Sequence, residues 1–349
     1  MAELREILDL WKRASAAGED VCLATVVGIE GSAYRRPGAR MLLTAGGQRA
    51  GTVSGGCLEA EIAKKAWWLT EKGPSIQRYS SFFDDDGDMP YGLGCGGTVL
   101  IALERGEPAA QCLETLRRSV EKRTASVIVT DTVTSAAGTR LVLNAAGEAL
   151  YAAKAEPALE KLAHEVLHRR ASRQAEHLFV EFVAPPPAIT IFGAGDDARP
   201  LLAFADVLGW HATLADGRAN LARPERFPQA ARVGGLEAAL AVLTSDDAAV
   251  LMTHSYEQDR QILRALLTRE LRYLGVLGPR ARTERLVSEV ASELALDPDT
   301  CLGRLHSPVG LDLGGHAPAS IALSIAAELQ AVFAGRGAQK LSGAPAVHA

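Results

Sequence analysis

The chain has 349 residues, too many for one compact core and enough for two or three domains. Its 48% hydrophobic and 23% charged residues are those of a globular protein, which excludes a disordered or fibrous chain. A net charge of -5 argues against broad nucleic-acid binding, which needs a basic face, and no run approaches the roughly 18 apolar residues of a membrane span. Five cysteines (Cys22, Cys57, Cys95, Cys112, Cys301) without CxxC spacing imply neither a disulfide framework nor a zinc ribbon, and fit a reducing cytoplasm.

Met1 to Lys12 carries Leu4, Ile7, Leu8 and Trp11 at helical spacing, which predicts a packed amphipathic helix and not a signal peptide. Val21 to Ile29 reads as a buried strand, followed by a Gly/Pro loop holding Arg35 and Arg36. Ala39 to Thr44 and Gln48 to Val53 read as a hairpin around Ala45-Gly46-Gly47. The chain then enters Ser54-Gly55-Gly56, and a helix-like run starts at Cys57. Glycines admit a sharp turn and close ligand approach, and a helix start leaves amides outward for an anion. The helix dipole there favours a Cys57 thiolate. A helix over Glu59 to Lys72 follows, with Trp67-Trp68 as core or interface.

Asp84-Asp85-Asp86-Gly87-Asp88 has the composition of a calcium loop without its alternate spacing or distal glutamate, and is read as a solvated loop. A second glycine-dense turn follows, Gly92-Leu93-Gly94-Cys95-Gly96-Gly97, leading into a strand over Thr98 to Leu103. Two thiols in two permissive turns suggest a site; the competing reading makes both small buried hydrophobes. In the middle third, Ala109 to Lys122 reads as a helix and Ala125 to Thr130 and Thr139 to Leu143 as strands. Glu156 to Glu176 reads as one long polar helix, whose His164 and His168 lack a third metal ligand. His177 to Val183 is a strand, and Ala184-Pro185-Pro186-Pro187 a stiff linker and domain boundary.

Beyond the linker, strand Ala188 to Phe192, the loop Gly193-Ala194-Gly195-Asp196-Asp197-Ala198, a helix to Leu208, and strand His211 to Ala215 tipped by Asp216 spell a βαβ dinucleotide fingerprint. This predicts a Rossmann-like parallel sheet, with further strands at Ala248 to Met252 and Leu274 to Leu277. Asp196 and Asp197 stand where a pyrophosphate would meet the helix, so nucleotide binding is expected to be weakened or altered. Arg218 is placed to meet an anionic ligand or to form an exposed ion pair. Loops bearing His254, Gly278, Arg280 and Asp312 fall at the carboxyl ends of the later strands, the crevice of such sheets. The residues after Gly335 are small and polar and read as a disordered tail.

Taken together, Gly31-Ser32-Ala33-Tyr34-Arg35-Arg36-Pro37-Gly38-Ala39-Arg40-Met41, the Ser-Gly-Gly-Cys-Leu-Glu run at residues 54–59 and Leu93-Gly94-Cys95-Gly96-Gly97 resemble the XdhC/CoxI family of xanthine dehydrogenase accessory factors. The second half is similar to that family's Rossmann domain through Phe192 to Gly195, Thr253-His254, Gly275 to Gly278, Pro308 to Asp312 and Ile321 to Ile325. Ala319-Ser320 after Pro318, where the family carries acidic residues, and the Asp196-Asp197 pair depart from the pattern.

The resemblance implies a mixed α/β XdhC/CoxI-type domain over residues 1–105, a connecting α/β region over 106–184, a Rossmann-like domain over 185–334 and a tail over 335–349. It implies a cytoplasmic accessory protein rather than a turnover enzyme, and a homodimer. Such a protein holds molybdenum cofactor, supports its sulfuration by a cysteine desulfurase, and delivers it to a xanthine dehydrogenase-like molybdenum hydroxylase. The candidate cofactor-binding residues are Arg35, Arg36, Ser54, Gly55, Gly56, Cys57, Gly94, Cys95, Gly96 and Gly97, with Cys57 or Cys95 approaching molybdenum or accepting sulfur in transit. Two other readings stay open. One is an NAD(P)-dependent oxidoreductase using Gly193, Gly195, Asp216 and His254; the other is a thiol enzyme with Cys57 as nucleophile.

Overall fold

A computed structural model describes residues 2–56, 58–80, 97–133, 137–153, 156–340 and 342. Cys57, Gly94, Cys95, Gly96 and the Asp84–Asp88 loop lie outside the described residues. The chain divides into two compact units, one formed by Glu3–Pro185 and the other from Pro186 onward.

The amino-terminal unit holds two antiparallel five-stranded sheets. The first contains β1 (Val21–Gly31), β2 (Arg40–Thr44), β3 (Arg49–Gly51), β4 (Ser75–Ser80) and β5 (Gly97–Arg105), in the order β3-β2-β1-β5-β4. The second contains β6 (Ser126–Asp131), β7 (Arg140–Asn144), β8 (Ala149–Ala153), β9 (Arg173–Ala175) and β10 (Leu178–Val183), in the order β8-β7-β6-β10-β9. Helices α1 (Ala2–Ala16) and α3 (Gly106–Lys122) precede the two sheets, and α2 (Glu59–Leu69) and α4 (Pro157–Arg169) connect the third and fourth strand of each. The unit is therefore one plan run twice: helix, three strands, helix, two strands. Residues 106–184, expected as a connecting region, are the second run.

The β-strand period of two sorts each central strand between two cores. Cys22, Ala24 and Val26 of β1 face α2 through Leu58, Ile62 and Ala66. In the second sheet Val127 and Val129 of β6 face Ala163 and Val166 of α4. The opposite faces meet: Leu23, Leu42, Ile128, Val142 and Val183 share one buried cluster with Ile7 and Leu10 of α1 and Cys112, Leu113 and Leu116 of α3.

Two buried ion pairs cross between the runs. Arg40, first residue of β2, donates to Glu181 of β10 at 2.9 Å through Nη1; Arg140, first residue of β7, donates to Glu104 of β5. The register makes them equivalent, because Arg40 lies opposite Thr25 and Glu104 opposite Leu23, two residues back on β1. Arg140 lies opposite Thr130 and Glu181 opposite Ile128, again two residues back on β6. Burial works against the charge on Arg40 and Arg140, but Glu181 and Glu104 outweigh it and hold both guanidinium groups above their usual pKa.

The hairpin turns also match. Thr44 and Asn144 each donate to the residue four on, at 2.9 Å, and accept from Gly47 and Gly147, whose φ values are 83° and 82°. Glycine is required at both positions by that left-handed backbone.

The sequence reading of one helix over Glu156 to Glu176 is corrected. α4 stops at Arg169, Arg170 adopts φ 52°, and β9 follows and pairs with β10. Ladder pairing and burial of the neighbouring strand override the helical composition of that stretch. The helix after the Ser-Gly-Gly turn starts at Glu59 and ends at Leu69. Short β4, β8 and β13 (Arg232–Gly234) have no counterpart among the predicted strands; β4 and β13 carry little apolar pattern, and β8 is an alanine-rich, largely exposed strand.

The second unit is a parallel sheet, ordered β13-β12-β11-β14-β15, of β11 (Ala188–Phe192), β12 (His211–Ala215), β13, β14 (Ala248–Leu251) and β15 (Tyr273–Val276). Every residue of β11, β14 and β15 is buried, as expected of strands covered on both faces. Leu201, Leu202 and Ala205 of α5 (Ala198–Val207) pack with Ile325 and Leu329 of α10 (Pro318–Phe333) on one face. Ile262, Leu263 and Leu266 of α7 (Tyr256–Leu266) pack with Leu286, Val287 and Val290 of α8 (Arg280–Leu294) on the other. Two short helices, α6 (Leu236–Val242) and α9 (Pro298–Gly303), add Ala239 and Cys301 to that second face. Among the described residues, no helix is long and apolar enough to cross a membrane.

Candidate functional site

In the amino-terminal unit the residues of interest surround the turn between β3 and α2. Gly51 has φ 77°, and a Cβ there would meet the Arg40 carbonyl oxygen at 2.3 Å, so the strand end is fixed by a close backbone approach. The turn after it is laced from inside by Glu59, a buried carboxylate that accepts from the Val53 amide at 3.1 Å, the Ser54 amide at 2.9 Å and the Ser54 hydroxyl at 2.6 Å. The Ser54 Oγ in turn accepts from the amides of Gly56 and Leu58, both at 3.1 Å. Burial alone would raise the Glu59 pKa, but these donors outweigh it and hold the carboxyl below its usual value.

This corrects one expectation. The amides of Val53, Ser54, Gly56 and Leu58 are not turned outward for a foreign anion; the Glu59 carboxylate and the Ser54 hydroxyl it holds take them up. What the turn presents outward is bare backbone. Gly56 has φ 112° and nothing within 4 Å of an added Cβ, and the Tyr34 ring lies 3.7 Å from a Cβ built on Gly55. Tyr34 is 76% exposed, unusual for so large an aromatic.

Of the two arginines, Arg35 is committed to an ion pair with Glu3, which also accepts from the Thr52 amide at 2.8 Å and the Thr52 hydroxyl at 3.1 Å. Arg35 thus ties α1 to the turn, while Arg36 is exposed, two residues past Tyr34. Gly97 opens β5 and is buried, and a Cβ there would meet the Ser32 carbonyl oxygen at 2.1 Å, so β5 starts against the same loop that bears Tyr34 to Arg36. Cys22, Cys112 and Cys301 are buried and free. Burial pushes the Cys22 thiol up to about 11 and raises that of Cys112. All three are packing residues, and the raised values of Cys22 and Cys112 make those two unsuited to thiolate chemistry. Sequence reasoning missed Glu3, Glu59 and Tyr34 as site residues; Glu59 ends the Ser-Gly-Gly-Cys-Leu-Glu run, which was the signal for it.

In the second unit the dinucleotide loop has its expected shape but altered chemistry. Gly193 has φ 128°, and a Cβ there would meet the Met252 carbonyl oxygen at 2.3 Å. Asp216 is 1% exposed, and both its oxygens are taken. Oδ1 accepts from the Arg218 amide at 2.8 Å and Nε at 2.9 Å, and Oδ2 from the Ala194 amide and Arg218 Nη2, both at 2.8 Å. Burial raises the pKa of this carboxyl, but the Arg218 guanidinium and the amides win and hold it below the usual range. The reading of Asp216 as a ribose ligand is corrected: its carboxylate is saturated from within the protein.

At the helix start, Asp197 Oδ2 meets His254 Nε2 at 2.6 Å, with His254 at φ 57°. Asp196 is bridged by Arg199 at 3.2 Å and Arg226 at 3.3 Å, and lies close before the first turn of α5. A Cβ on Gly195 would lie 2.4 Å from Asp197 Oδ1, so the glycine leaves room for the carboxylate. A pyrophosphate approaching this turn meets two carboxylates, and the residues present do not fit that group. Of the other crevice residues, Gly278 has φ 132°, Arg280 pairs with Glu284 at 2.7 Å on its own helix, and Asp312 is exposed. Two more carboxylates have internal partners: Asp259, which the sequence reading set with the Thr253–Tyr256 loop, and Glu328, which it missed. Asp259 holds the Thr253 hydroxyl and Arg282, each at 2.7 Å, and Glu328 holds Tyr273, His306 and the Gly310 amide. Among the described residues, no group of three or more His, Cys, Asp or Glu could hold a metal ion.

Comparison with known proteins agrees with this division. Residues 14–80 match the model of the XdhC and CoxI family, and residues 189–329 that of the XdhC Rossmann domain. A probable xanthine dehydrogenase subunit of Bacillus subtilis (strain 168) is 31% identical over 321 residues, covering 89% of this chain and 92% of that one. The molybdenum cofactor insertion chaperone PaoD of Escherichia coli (strain K12) is 24% identical over 94% of this chain and 88% of its own length. The crystal structure of a xanthine dehydrogenase from Bacillus halodurans superposes with a TM-score of 0.77 at 29% identity, covering 97% of this chain and 98% of that one. With the glycine turn after β3 inside the first matched region and the altered dinucleotide loop inside the second, the chain belongs to the XdhC and CoxI family.

Proposed function

We propose that this chain is a cytosolic accessory protein that holds molybdenum cofactor, supports its sulfuration by a cysteine desulfurase and delivers it to a xanthine dehydrogenase-like molybdenum hydroxylase. The names of two relatives, one a molybdenum cofactor insertion chaperone and one a probable component of a xanthine dehydrogenase, support that role. The observation that carries it is the turn at residues 54–56, where a buried Glu59 rigidifies exposed glycine backbone beside an exposed aromatic. A bulky anionic cofactor suits such a place: backbone without Cβ atoms allows close approach, Tyr34 offers a flat apolar face, and Arg36 offers an exposed charge. When bound, the cofactor supplies the molybdenum–dithiolene centre that the client enzyme uses. The chain's own part is to bind and shield it, with Cys57 and Cys95 as the thiols that contact molybdenum or pass sulfur, Gly94, Gly96 and Gly97 as further cofactor-binding residues, and Ser54 holding the first turn in shape. Self-association through the exposed Trp68 belongs to the same reading.

Anaerobic gel filtration with molybdenum cofactor tests it, read as molybdenum and pterin co-eluting with wild type, Cys57→Ala and Cys95→Ala. Retention by wild type that falls in at least one variant is the expected result. No retention by wild type, with saturable NAD or NADP binding instead, would replace this reading with the oxidoreductase.

A further inference from the structure

The loop that bears Tyr34 to Arg36 is held at both ends by the second run of the amino-terminal unit. At its near end β1 carries a bulge: Val26 pairs with Ile101 and Gly28 with Leu100, which leaves Val27 as the extra residue. A bulge takes one residue out of the ladder and re-aims the chain that follows, here the strand end leading into the loop. The Val27 carbonyl accepts from Gln174 Nε2 of β9 at 3.2 Å. Gly28 has no left-handed φ, and a Cβ on it would lie 2.9 Å from that same nitrogen and from Leu100 Cδ1, so its glycine answers to their approach. At the far end the Gly38 carbonyl accepts from Arg40 Nη1 at 2.7 Å, the nitrogen that also reaches Glu181, and the Gly38 amide donates to the Val26 carbonyl at 2.8 Å.

The duplication separates what the scaffold needs from what the loop needs. Arg40 with Glu181 has its reciprocal in Arg140 with Glu104, so the shared scaffold accounts for the far end. Gln174 has no reciprocal. It lies opposite Phe179, two residues before Glu181; the equivalent position in the first run, opposite Ala102 and so two residues before Glu104, is Ile76. Isoleucine has no side-chain donor, and Ile76 packs instead in an apolar cluster with Val27, Ala102 and Phe179. The bulge has no reciprocal either, since β6 pairs with β10 from Ser126 to Asp131 without a shift and the ladder stops before Thr132, the equivalent of Val27. Bulge and glutamine thus occur together in the run whose strand continues into the loop of Tyr34 and Arg36.

We propose that Gln174 is a positioning residue of the glycine-turn site: from the second run it pins the bulge at Val27 and so fixes the direction in which residues 31–39 present Tyr34 against Gly55, with Arg36 two residues on. Losing that hydrogen bond frees the bulge and leaves the cores intact, because Gln174 is exposed and lies in none of the buried clusters of the unit. The effect on cofactor rests on the reading of the turn as a cofactor site; the hold on the loop does not.

Hydrogen–deuterium exchange of the full chain, read by mass spectrometry on peptides covering residues 28–39, tests the hold on the loop with no cofactor present. Gln174→Ile installs the residue of the equivalent position, and Gln174→Glu keeps the shape but turns an acceptor towards the Val27 carbonyl. Each is expected to speed exchange over residues 28–39 by about fivefold, the scale of one lost hydrogen bond, with residues 126–131 and the thermal midpoint at wild-type values. Anaerobic gel filtration then reads the site: molybdenum cofactor retained per chain is expected to fall by about threefold or more in both variants. Unchanged exchange over residues 28–39, exchange raised equally in the two runs, or undiminished retention by a variant whose loop has loosened overturns the proposal. Should one variant fail to fold, the other decides. Absence of retention by wild type counts against the glycine turn as a cofactor site, and exchange alone then decides the role of Gln174, so the two failures are read apart.

Discussion

The two runs of the amino-terminal unit have the same strand order, the same hairpin turn with glycine at φ 83° and 82°, and reciprocal arginine–glutamate pairs. They differ in the connection from the third strand to the following helix. In the first run it carries Thr52 to Leu58, held by Glu59 from below and overlain by Tyr34. In the second run α4 begins at Pro157, only four residues past the end of β8, and its start is an extended Glu156 followed by proline. A shared scaffold has thus been given one elaborated turn and one plain one. The plain copy shows what the fold alone requires there, and everything beyond it in the first copy is available for function.

The reciprocal pairs offer the largest test of this equivalence. Removing one partner strands a buried charge, so Arg140→Met and Arg40→Met are each expected to cost about 3–5 kcal/mol in urea unfolding. Arg140, at 2% exposure against 6% for Arg40, should be the worse of the two. Replacing both partners, Arg140→Met with Glu104→Leu, should recover most of the loss, because no buried charge is then left without its partner. Unequal behaviour, with one pair dispensable, would break the pseudo-symmetry as an energetic statement.

Glu59→Gln should cost about 1–3 kcal/mol, since the amides it satisfies are left with a weaker acceptor. The sign of its pH dependence follows from a pKa held below 4.5 in the folded chain. Its stabilisation is complete above 4.5 and is lost as pH falls through the lower folded value, so wild type and Glu59→Gln should converge in acid and separate towards neutrality. Acid unfolding followed by circular dichroism measures this; a gap that stays unchanged through the whole acid range would assign the loss to shape and not charge.

The hairpin glycines give the smallest effect and the finest comparison. Gly47→Ala meets open space and should cost only the left-handed backbone penalty, about 1 kcal/mol. Gly147→Ala adds a Cβ 2.8 Å from His164 Nε2 and should cost somewhat more unless that exposed ring swings away. Thermal midpoints of the two variants read the difference.

Much of the fold was legible because its signals are local. β11 and β12 fall where the sequence reading put them, since buried parallel strands are unbroken apolar runs bounded by glycine and proline. The family itself was legible from the 54–59 run and the loop before it. The duplication was not, because the runs share register and turn geometry while their side chains differ: Cys22, Leu23 and Ala24 of β1 stand where Val127, Ile128 and Val129 of β6 do. Asp216 was legible as an acid at a strand tip, but its partner was a matter of where Arg218 folds back.

By itself the sequence determined the elements with strong periodicity, the glycine turns, the Rossmann-like order and the family, all of which depend on neighbours within a few residues. Tertiary structure decided which polar groups are already spent. Glu59 binding the turn's own amides, Arg218 filling Asp216, and Arg40 and Arg140 each reaching a glutamate in the other run join residues between 2 and 141 positions apart. A charge in a sequence shows only that it needs a partner; burial makes that partner obligatory, and only the packed chain shows whether the partner is another part of the protein or is left for a ligand to provide.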